Sequence, residues 1–297
     1  MIKSFDELLT KVKEMPSKRV VIPGADTKAS LFAATLAKME DIADFLLIGD
    51  ENKIRSLLQE VESSMLDAFE ILHEPDLDKA VKLAVNSIHQ KKADIILKGK
   101  TATSQLLRGV LDKQEGLQTG SILSDVFVFE GKERLTLMSD GGIILYPGIK
   151  EKVSLINNAV AVAHALGNPN PNVAMLCAVE VPNPKMPSTM DAVILAQMNK
   201  RNQIKGCTVD GPFALDNAIS EEAARIKGIK SPVAGKADVL IMPNIEAGNI
   251  FGKSLTYYAG FQTAHVVMGA KAPILITSRA DNAWAKLYSI ALGIMCA

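Results

Sequence analysis

RVVIPGADTKASLFAATLAKMEDIADFLLIGD, residues Arg19 to Asp50, carries the reading of the fold. It opens with a β-branched apolar run closed by Pro23 and Gly24, passes through a small-residue segment of helical character, and returns to an apolar run, Phe45 to Asp50, that again stops at Gly and Asp. Short apolar runs bounded by Pro, Gly and Asp are strand signals. Ahead of them Phe5, Leu8, Leu9 and Val12 recur at helical spacing. AVKLAVNSIHQ (Ala80–Gln90) and ADIILKG (Ala93–Gly99) repeat the helix–strand alternation. Strands that are continuously rather than alternately apolar must be covered on both faces, so the pattern predicts an α/β fold with a mainly parallel sheet between helices.

LTLMSD (Leu135–Asp140), NVAMLCAVE (Asn172–Glu180), ADVLIMPN (Ala237–Asn244) and APILITSR (Ala272–Arg279) extend the strand series. Between the early and late strands lies GVLDKQEGLQTGSILSDVFVFEG (Gly109–Gly131), an irregular Gly-marked loop followed by an alternating strand. That change of pattern predicts a seam near residue 135, with the C-terminal segment returning to the first half. At 297 residues the chain is longer than one compact core usually organises, which predicts two domains or one large α/β unit.

Composition narrows the function. Thirty-three Lys and Arg balance 33 Asp and Glu, so no global basic field draws nucleic acid or anionic lipid. Cys177, Cys207 and Cys296 form no CxxC pair and imply neither a disulfide framework nor a four-cysteine zinc site. The N-terminus carries Asp6, Glu7 and Glu14 where a signal peptide needs an apolar stretch. The longest uncharged run, Val153–Val179, is broken by GNPNPN (Gly167–Asn172), which predicts a helix and then a strand instead of a membrane span. A cytoplasmic protein is expected, without nucleic-acid or membrane partners.

Familiar cofactor signatures fail. GKT at Gly99–Thr101 lacks the glycine a phosphate loop needs five positions earlier, where Asp94 stands. No GxGxxG follows an early strand, no GxSxG elbow occurs, and His73, His89, His164 and His265 lack metal-ligand spacing. These histidines read as structural, and no metal site is expected.

Polar residues where strands give way to loops remain, and in open α/β sheets ligands sit at those carboxyl ends. After ADIIL come Lys98, Lys100, Thr101, Thr103 and Ser104. Cations and hydroxyls at the start of a helix suit an anion, since the helix N-terminus offers unpaired N–H groups; the same residues also read as a capped helix with solvated lysines. Thr119, Gly120, Ser121 and Ser124 in LQTGSILSD can wrap a phosphate or form an ordinary turn. Thr277, Ser278, Arg279 and Asp281 follow the last apolar strand. Arginine's planar fork matches phosphate or carboxylate, Ser278 can donate to an oxygen gaining charge, and Asp281 can orient the arginine or take a proton. An isolated SRxD also reads as a salt-bridged helix cap. In SPVAGKADVLIMPNIEAGNIFGKSL (Ser231–Leu255), Lys236 precedes a strand, and Asn244, Glu246, Gly248 and Asn249 follow it. VDGPFALDNAI (Val209–Ile219) reads as a rigid loop at a strand end, carrying Asp210 and Asp216. Both runs are open to a wholly structural reading.

Taken together and in order, ADIILKGKTATSQLL, TGSILSDV, VDGPFALDNAIS, SPVAGKADVLIMPNIEAGNI and ITSRADNAWAKLYSIALG resemble the phosphate acetyltransferase and phosphate butyryltransferase family over nearly the whole chain, closest to the butyryltransferase branch. The resemblance implies a two-domain α/β/α fold of the isocitrate/isopropylmalate dehydrogenase-like type with an interdomain cleft. The domains would be 1–135 plus 273–297, and 136–272. It implies reversible transfer of a short butyryl or branched acyl group between coenzyme A and inorganic phosphate, giving acyl phosphate. Coenzyme A is then a substrate, no cofactor is tightly bound, and a homodimer or higher even oligomer is expected. The family's Ser-Arg pair falls on Ser278 and Arg279, with Arg279 holding phosphate and Ser278 bonding the thioester or thiolate. Asp281 is the nearest carboxylate. Lys98, Lys100, Thr101, Thr103, Thr119, Ser121, Ser124, Asn244 and Asn249 are the expected substrate-binding residues.

Departures from the family pattern stand at Ala285 and Trp284, where relatives place an aspartate or glutamate, at Gln118 and Asp125, in place of Arg and His, and at Gly141 and Gly142, in place of alanines. They motivate an alternative, a non-catalytic coenzyme A or acyl-phosphate binding paralogue. A metal-dependent hydroxyacid dehydrogenase of the same fold is a third reading and needs an aspartate cluster that the sequence does not offer.

Overall fold

The computed structural model describes residues 1–131, 133–277 and 282–297. In chain order its first elements are α1 (Phe5–Lys13), β1 (Lys18–Pro23), α2 (Lys28–Met39), β2 (Ala43–Gly49), α3 (Glu51–Val61), β3 (Glu70–His73), α4 (Leu77–His89), β4 (Ile95–Leu97) and α5 (Thr103–Val110). Then follow β5 (Ser124–Glu130), β6 (Leu135–Ser139), α6 (Ile149–Ala165), β7 (Asn172–Leu176), α7 (Pro187–Lys200), β8 (Thr208–Phe213), α8 (Leu215–Ile219) and α9 (Glu221–Ile226). The last are β9 (Val239–Ile241), α10 (Ile245–Tyr257), β10 (Thr263–Met268), β11 (Ile274–Leu275) and α11 (Ala283–Cys296). The protein is a mixed α/β chain of two compact units: Phe5–Ser121 with Ala264–Ala297, and Met1–Ser4 with Ile122–Thr263.

In the unit containing both Phe5 and the C-terminus, the strand order is β3-β2-β1-β4-β11-β10. Its neighbours run parallel except β10, which is antiparallel to β11. Continuous apolar runs bury β1 and β4, as two covered faces require. The N-terminal helix buries Phe5, Leu8 and Val12, with Phe5 stacked on Tyr288 of α11 at 4.4 Å. α11 is buried nearly throughout, from Leu287 to Ile294. At the carboxyl ends two glycines let strands approach: a Cβ on Gly99 would lie 2.2 Å from the Gly24 carbonyl oxygen, and Gly24 has φ +68°.

The other unit orders its strands β5-β6-β9-β7-β8, antiparallel between β5 and β6 and parallel elsewhere. Its core is built from Phe127, Phe129, Met138, Leu240 and Phe213. The uncharged run divides as its breakers predict, α6 ending at Ala165 and β7 starting at Asn172. Among the described residues no helix is long and apolar enough to cross a membrane. One expectation is corrected: the VDGPFALDNAI stretch is not a loop but strand β8 and helix α8. Pro212 is tolerated because β8 ends its unit's strand order, where a missing N–H disrupts no second ladder.

Candidate active site

Strand β4 ends at Leu97, beside Leu275 of β11 and parallel to it. The segment Lys98–Thr101, residue Thr277 and the Gly24–Thr27 turn therefore leave the sheet at one edge. A cavity of about 360 Å³ opens there, lined among others by Thr27, Ser30, Lys98, Lys100, Thr277 and Lys286. Lys98 Nζ donates to the carbonyl oxygens of Gly99 (3.3 Å) and Thr101 (3.2 Å). Lys100 Nζ pairs with Asp26 Oδ2 at 3.2 Å, and Lys53 reaches the same oxygen at 3.3 Å. Burial pushes the Asp26 carboxyl up, but the two ammonium groups outweigh it and hold it below the usual carboxylate range.

Thr101 is buried, and its hydroxyl has no hydrogen-bond partner among the described residues. Thr103 opens α5, whose N-cap is Ala102 with no side-chain cap bond. The first N–H groups of α5 thus lack the cap that one sequence reading gave them. Thr119 Oγ1 donates to the Gly269 carbonyl at 2.6 Å and accepts from Ser121 N at 3.2 Å, with Gly120 between them at φ +90°. Gln118 Nε2 donates to the Leu111 and Asp112 carbonyls, closing the C-terminal end of α5.

Ser124, Asn244 and Asn249 belong to the other unit. Ser124 is fully buried at the start of β5, and Asn158 Nδ2 donates to its hydroxyl at 2.8 Å and to the Ile122 carbonyl at 3.0 Å. Asn244 caps α10, Oδ1 accepting from Ala247 N at 3.0 Å. Asn249 Nδ2 donates to the Gly141 carbonyl at 3.0 Å. The strand end at β6 meets α10 backbone to backbone, since a Cβ on Gly248 would lie 2.3 Å from the Asp140 carbonyl oxygen.

Asp140 holds this junction. Its Oδ2 accepts from Asp125 N (3.0 Å), and its Oδ1 accepts from Gly142 N and from Ile143 N (2.9 Å). Burial and the nearby Asp125 carboxylate push the Asp140 carboxyl up to about 6, against the three N–H bonds that favour its charged form. Asp125 is itself buried. Trp284 is exposed at the start of α11 and stacks on Tyr288 at 5.9 Å.

The structure thus gathers Lys98, Lys100 and Thr277 on one cavity, Thr119 with Ser121 on one turn, and Asn244 with Asn249 on one helix. Ser278, Arg279 and Asp281, the expected catalytic residues, lie outside the described residues. Sequence reasoning missed Lys286, Thr27 and Ser30, which reach the cavity from α11 and α2. It also missed Asp140, although this residue ends LTLMSD and met the same strand-end criterion that selected the others. Three histidine rings bond backbone: His73 Nδ1 accepts from Glu51 N, while His89 and His164 contact the Glu115 and Gly206 carbonyls.

The family model described as phosphate acetyl/butaryl transferase matches residues 68–294. The phosphate butyryltransferase of Clostridium acetobutylicum is 48% identical over 299 residues, covering 100% of this chain and 99% of that one. Among solved structures, a branched-chain phosphotransacylase from Enterococcus faecalis V583 superposes with a TM-score of 0.84 at 30% identity, over 94% of this chain and 98% of its own. A 4-hydroxythreonine-4-phosphate dehydrogenase from Klebsiella pneumoniae shares the fold alone, with a TM-score of 0.59 at 12% identity over 95% of this chain and 99% of its own. On the family match and on near-half identity along the full length, the chain belongs to the phosphate acetyl/butaryl transferase family.

Proposed function

We propose that this acyltransferase moves a short butyryl or branched acyl group reversibly between coenzyme A and inorganic phosphate, with acyl phosphate as product. The observation that carries it is the full-length likeness to a phosphate butyryltransferase. Nothing favours the non-catalytic paralogue.

Chemistry follows from the reactants. A phosphate oxygen attacks the thioester carbonyl, a tetrahedral centre gains negative charge beside an anionic nucleophile, and the C–S bond breaks to release thiolate. Fixed cations and donors must neutralise both charges, and proximity supplies much of the acceleration. Arg279 binds the phosphate, and Ser278 donates to the thioester oxygen or the departing sulfur. Asp281, two residues beyond Arg279 in the sequence, is the carboxylate that takes a proton. Lys98, Lys100, Thr101, Thr103, Thr119, Ser121, Asn244 and Asn249 bind substrate, with Ser124 supporting the loop from inside through Asn158. In reverse, the coenzyme A thiol has a reference pKa close to that of cysteine, about 8.5, so a neighbouring cation helps it ionise more than a strong base does.

The same reading includes a dehydrogenase-like two-domain fold, with residues 1–135 and 273–297 in one domain and 136–272 in the other. It also includes an even-numbered homo-oligomer, a cytoplasmic location, and no tightly bound cofactor or metal. Purified protein given butyryl-CoA and phosphate is expected to release free thiol. No release with any acyl-CoA of about two to six carbons rejects the proposal.

A further inference from the structure

The turn that follows β6 is held by one buried side chain. Asp140 accepts from Gly142 N and Ile143 N through Oδ1, and from Asp125 N of β5 through Oδ2. A carboxylate that bonds the N–H groups of the residues just ahead of it closes an Asx turn and gives the peptides between them one orientation. The Gly141 carbonyl belongs to that turn, and it accepts from Asn249 Nδ2 of α10 at 3.0 Å. No side chain separates turn from helix, since a Cβ on Gly141 would lie 2.9 Å from the Gly248 carbonyl carbon. Where Asp140 puts the Gly141 oxygen therefore decides where the Asn249 amide stands.

The two asparagines expected to bind substrate from α10 differ in what they leave over. Asn244 spends Oδ1 on Ala247 N, capping the helix. Asn249 is exposed, and among the described residues its side chain bonds only Gly141. With Nδ2 turned to that carbonyl, the planar amide directs Oδ1 away from it, and an amide oxygen only accepts. A partner for Oδ1 must bring an N–H or O–H. Acyl-CoA carries amide N–H groups and a hydroxyl along its pantetheine arm, whereas inorganic phosphate near neutral pH presents mostly acceptor oxygens.

We propose that Asn249 Oδ1 accepts a hydrogen bond from the pantetheine arm of acyl-CoA, and that Asp140 is the positioning residue that holds Asn249 in place through the Gly141 carbonyl. The inference rests on the acyl-transfer reading and adds which substrate Asn249 takes and what aims it. A binding group is effective only while its own support is fixed. Loss of the Asp140 clamp then weakens acyl-CoA binding through Asn249, whereas damage to the fold alone lowers the amount of active protein.

The test is a double-mutant cycle near neutral pH. Steady-state KM values for butyryl-CoA and for phosphate are measured with the wild type, Asn249→Ala, Asp140→Ala and the double variant. Asn249→Ala is expected to raise the KM for butyryl-CoA about five- to tenfold, the size of one hydrogen bond, and to leave the KM for phosphate unchanged. Asp140→Ala is expected to raise the same KM several-fold, but to change it by less than about twofold when Asn249 is already alanine. If Asp140→Ala does not fold, Asp140→Asn, which sets an amide N–H2 group against one of the three backbone N–H groups, takes its place in the cycle. A lower kcat at unchanged KM for the Asp140 variant, or effects that multiply in the double variant, overturn the positioning role. An unchanged KM for butyryl-CoA in Asn249→Ala, or a raised KM for phosphate, overturns the inference and leaves acyl transfer standing. If the wild type shows no turnover, the catalytic reading falls and calorimetric binding of butyryl-CoA runs the same cycle. The same pattern of weakened affinities then supports the inference; equal affinities, or no binding, overturn it.

Discussion

Replacing Asp140 by asparagine removes one negative charge from the interior and keeps the side chain's shape. Burial first, and the Asp125 carboxylate second, raise this carboxyl from an ordinary 3.8 to about 6. A raised pKa means that the folded protein holds the proton more tightly than the unfolded chain does. Stability from this group is therefore fully present below about pH 4, declines as pH rises towards about 6, and is level above that. A difference of about two units corresponds to about 3 kcal/mol of destabilisation at neutral pH. Asparagine removes the charge, but its amide nitrogen cannot accept the N–H that one carboxylate oxygen now takes, so the Asp140→Asn variant is expected to be less stable than the wild type near pH 4 and to gain on it by up to about 3 kcal/mol between pH 4 and pH 7. Urea unfolding of both proteins at unit steps of pH measures the gap. Several other carboxylates in the chain have lowered values and opposite dependence, among them Asp26 and Asp44, and they cancel in the difference between the two proteins. A gap that stays constant across pH, or that moves against the variant as pH rises, refutes the reasoning.

Gly248→Ala puts a Cβ 2.3 Å from the Asp140 carbonyl oxygen and must displace the first turns of α10; it should cost about 1–3 kcal/mol in thermal unfolding and lower kcat/KM. Gly142→Ala meets only the Asp125 side chain, no nearer than 3.4 Å, so the same melts should show little change. Asn158→Ala strips the buried Ser124 hydroxyl and the Ile122 carbonyl of a donor, and denaturant titration should show a loss of about 1–3 kcal/mol. Arg279→Ala should raise the KM for phosphate and depress kcat in steady-state assays; an unchanged phosphate dependence would remove Arg279 from the site.

Strands with both faces buried were the most legible part of the fold. Val20–Ile22, Phe45–Ile48 and Ile95–Leu97 are continuously apolar because nothing polar fits there. β3, with Glu70, Leu72 and His73 exposed at the edge, carries no such pattern, and Gly211-Pro212 hid β8 behind a turn signal. Site residues followed the same division. Lys98 and Lys100 were visible because they directly follow an apolar strand. Thr27, Ser30 and Lys286 reach the same cavity only because α2 and α11 pack against each other, and residues far apart in sequence give no local sign of that. Ser124 shows the converse: a hydroxyl in a loop-like stretch that the fold turns inward.

The most direct measurement is the initial rate of thiol release from butyryl-CoA as inorganic phosphate is raised from zero, with metal chelated throughout. The account predicts a rate that saturates with phosphate and yields one acyl phosphate per thiol. Thiol release independent of phosphate, or none at any concentration with any short acyl-CoA, would contradict it.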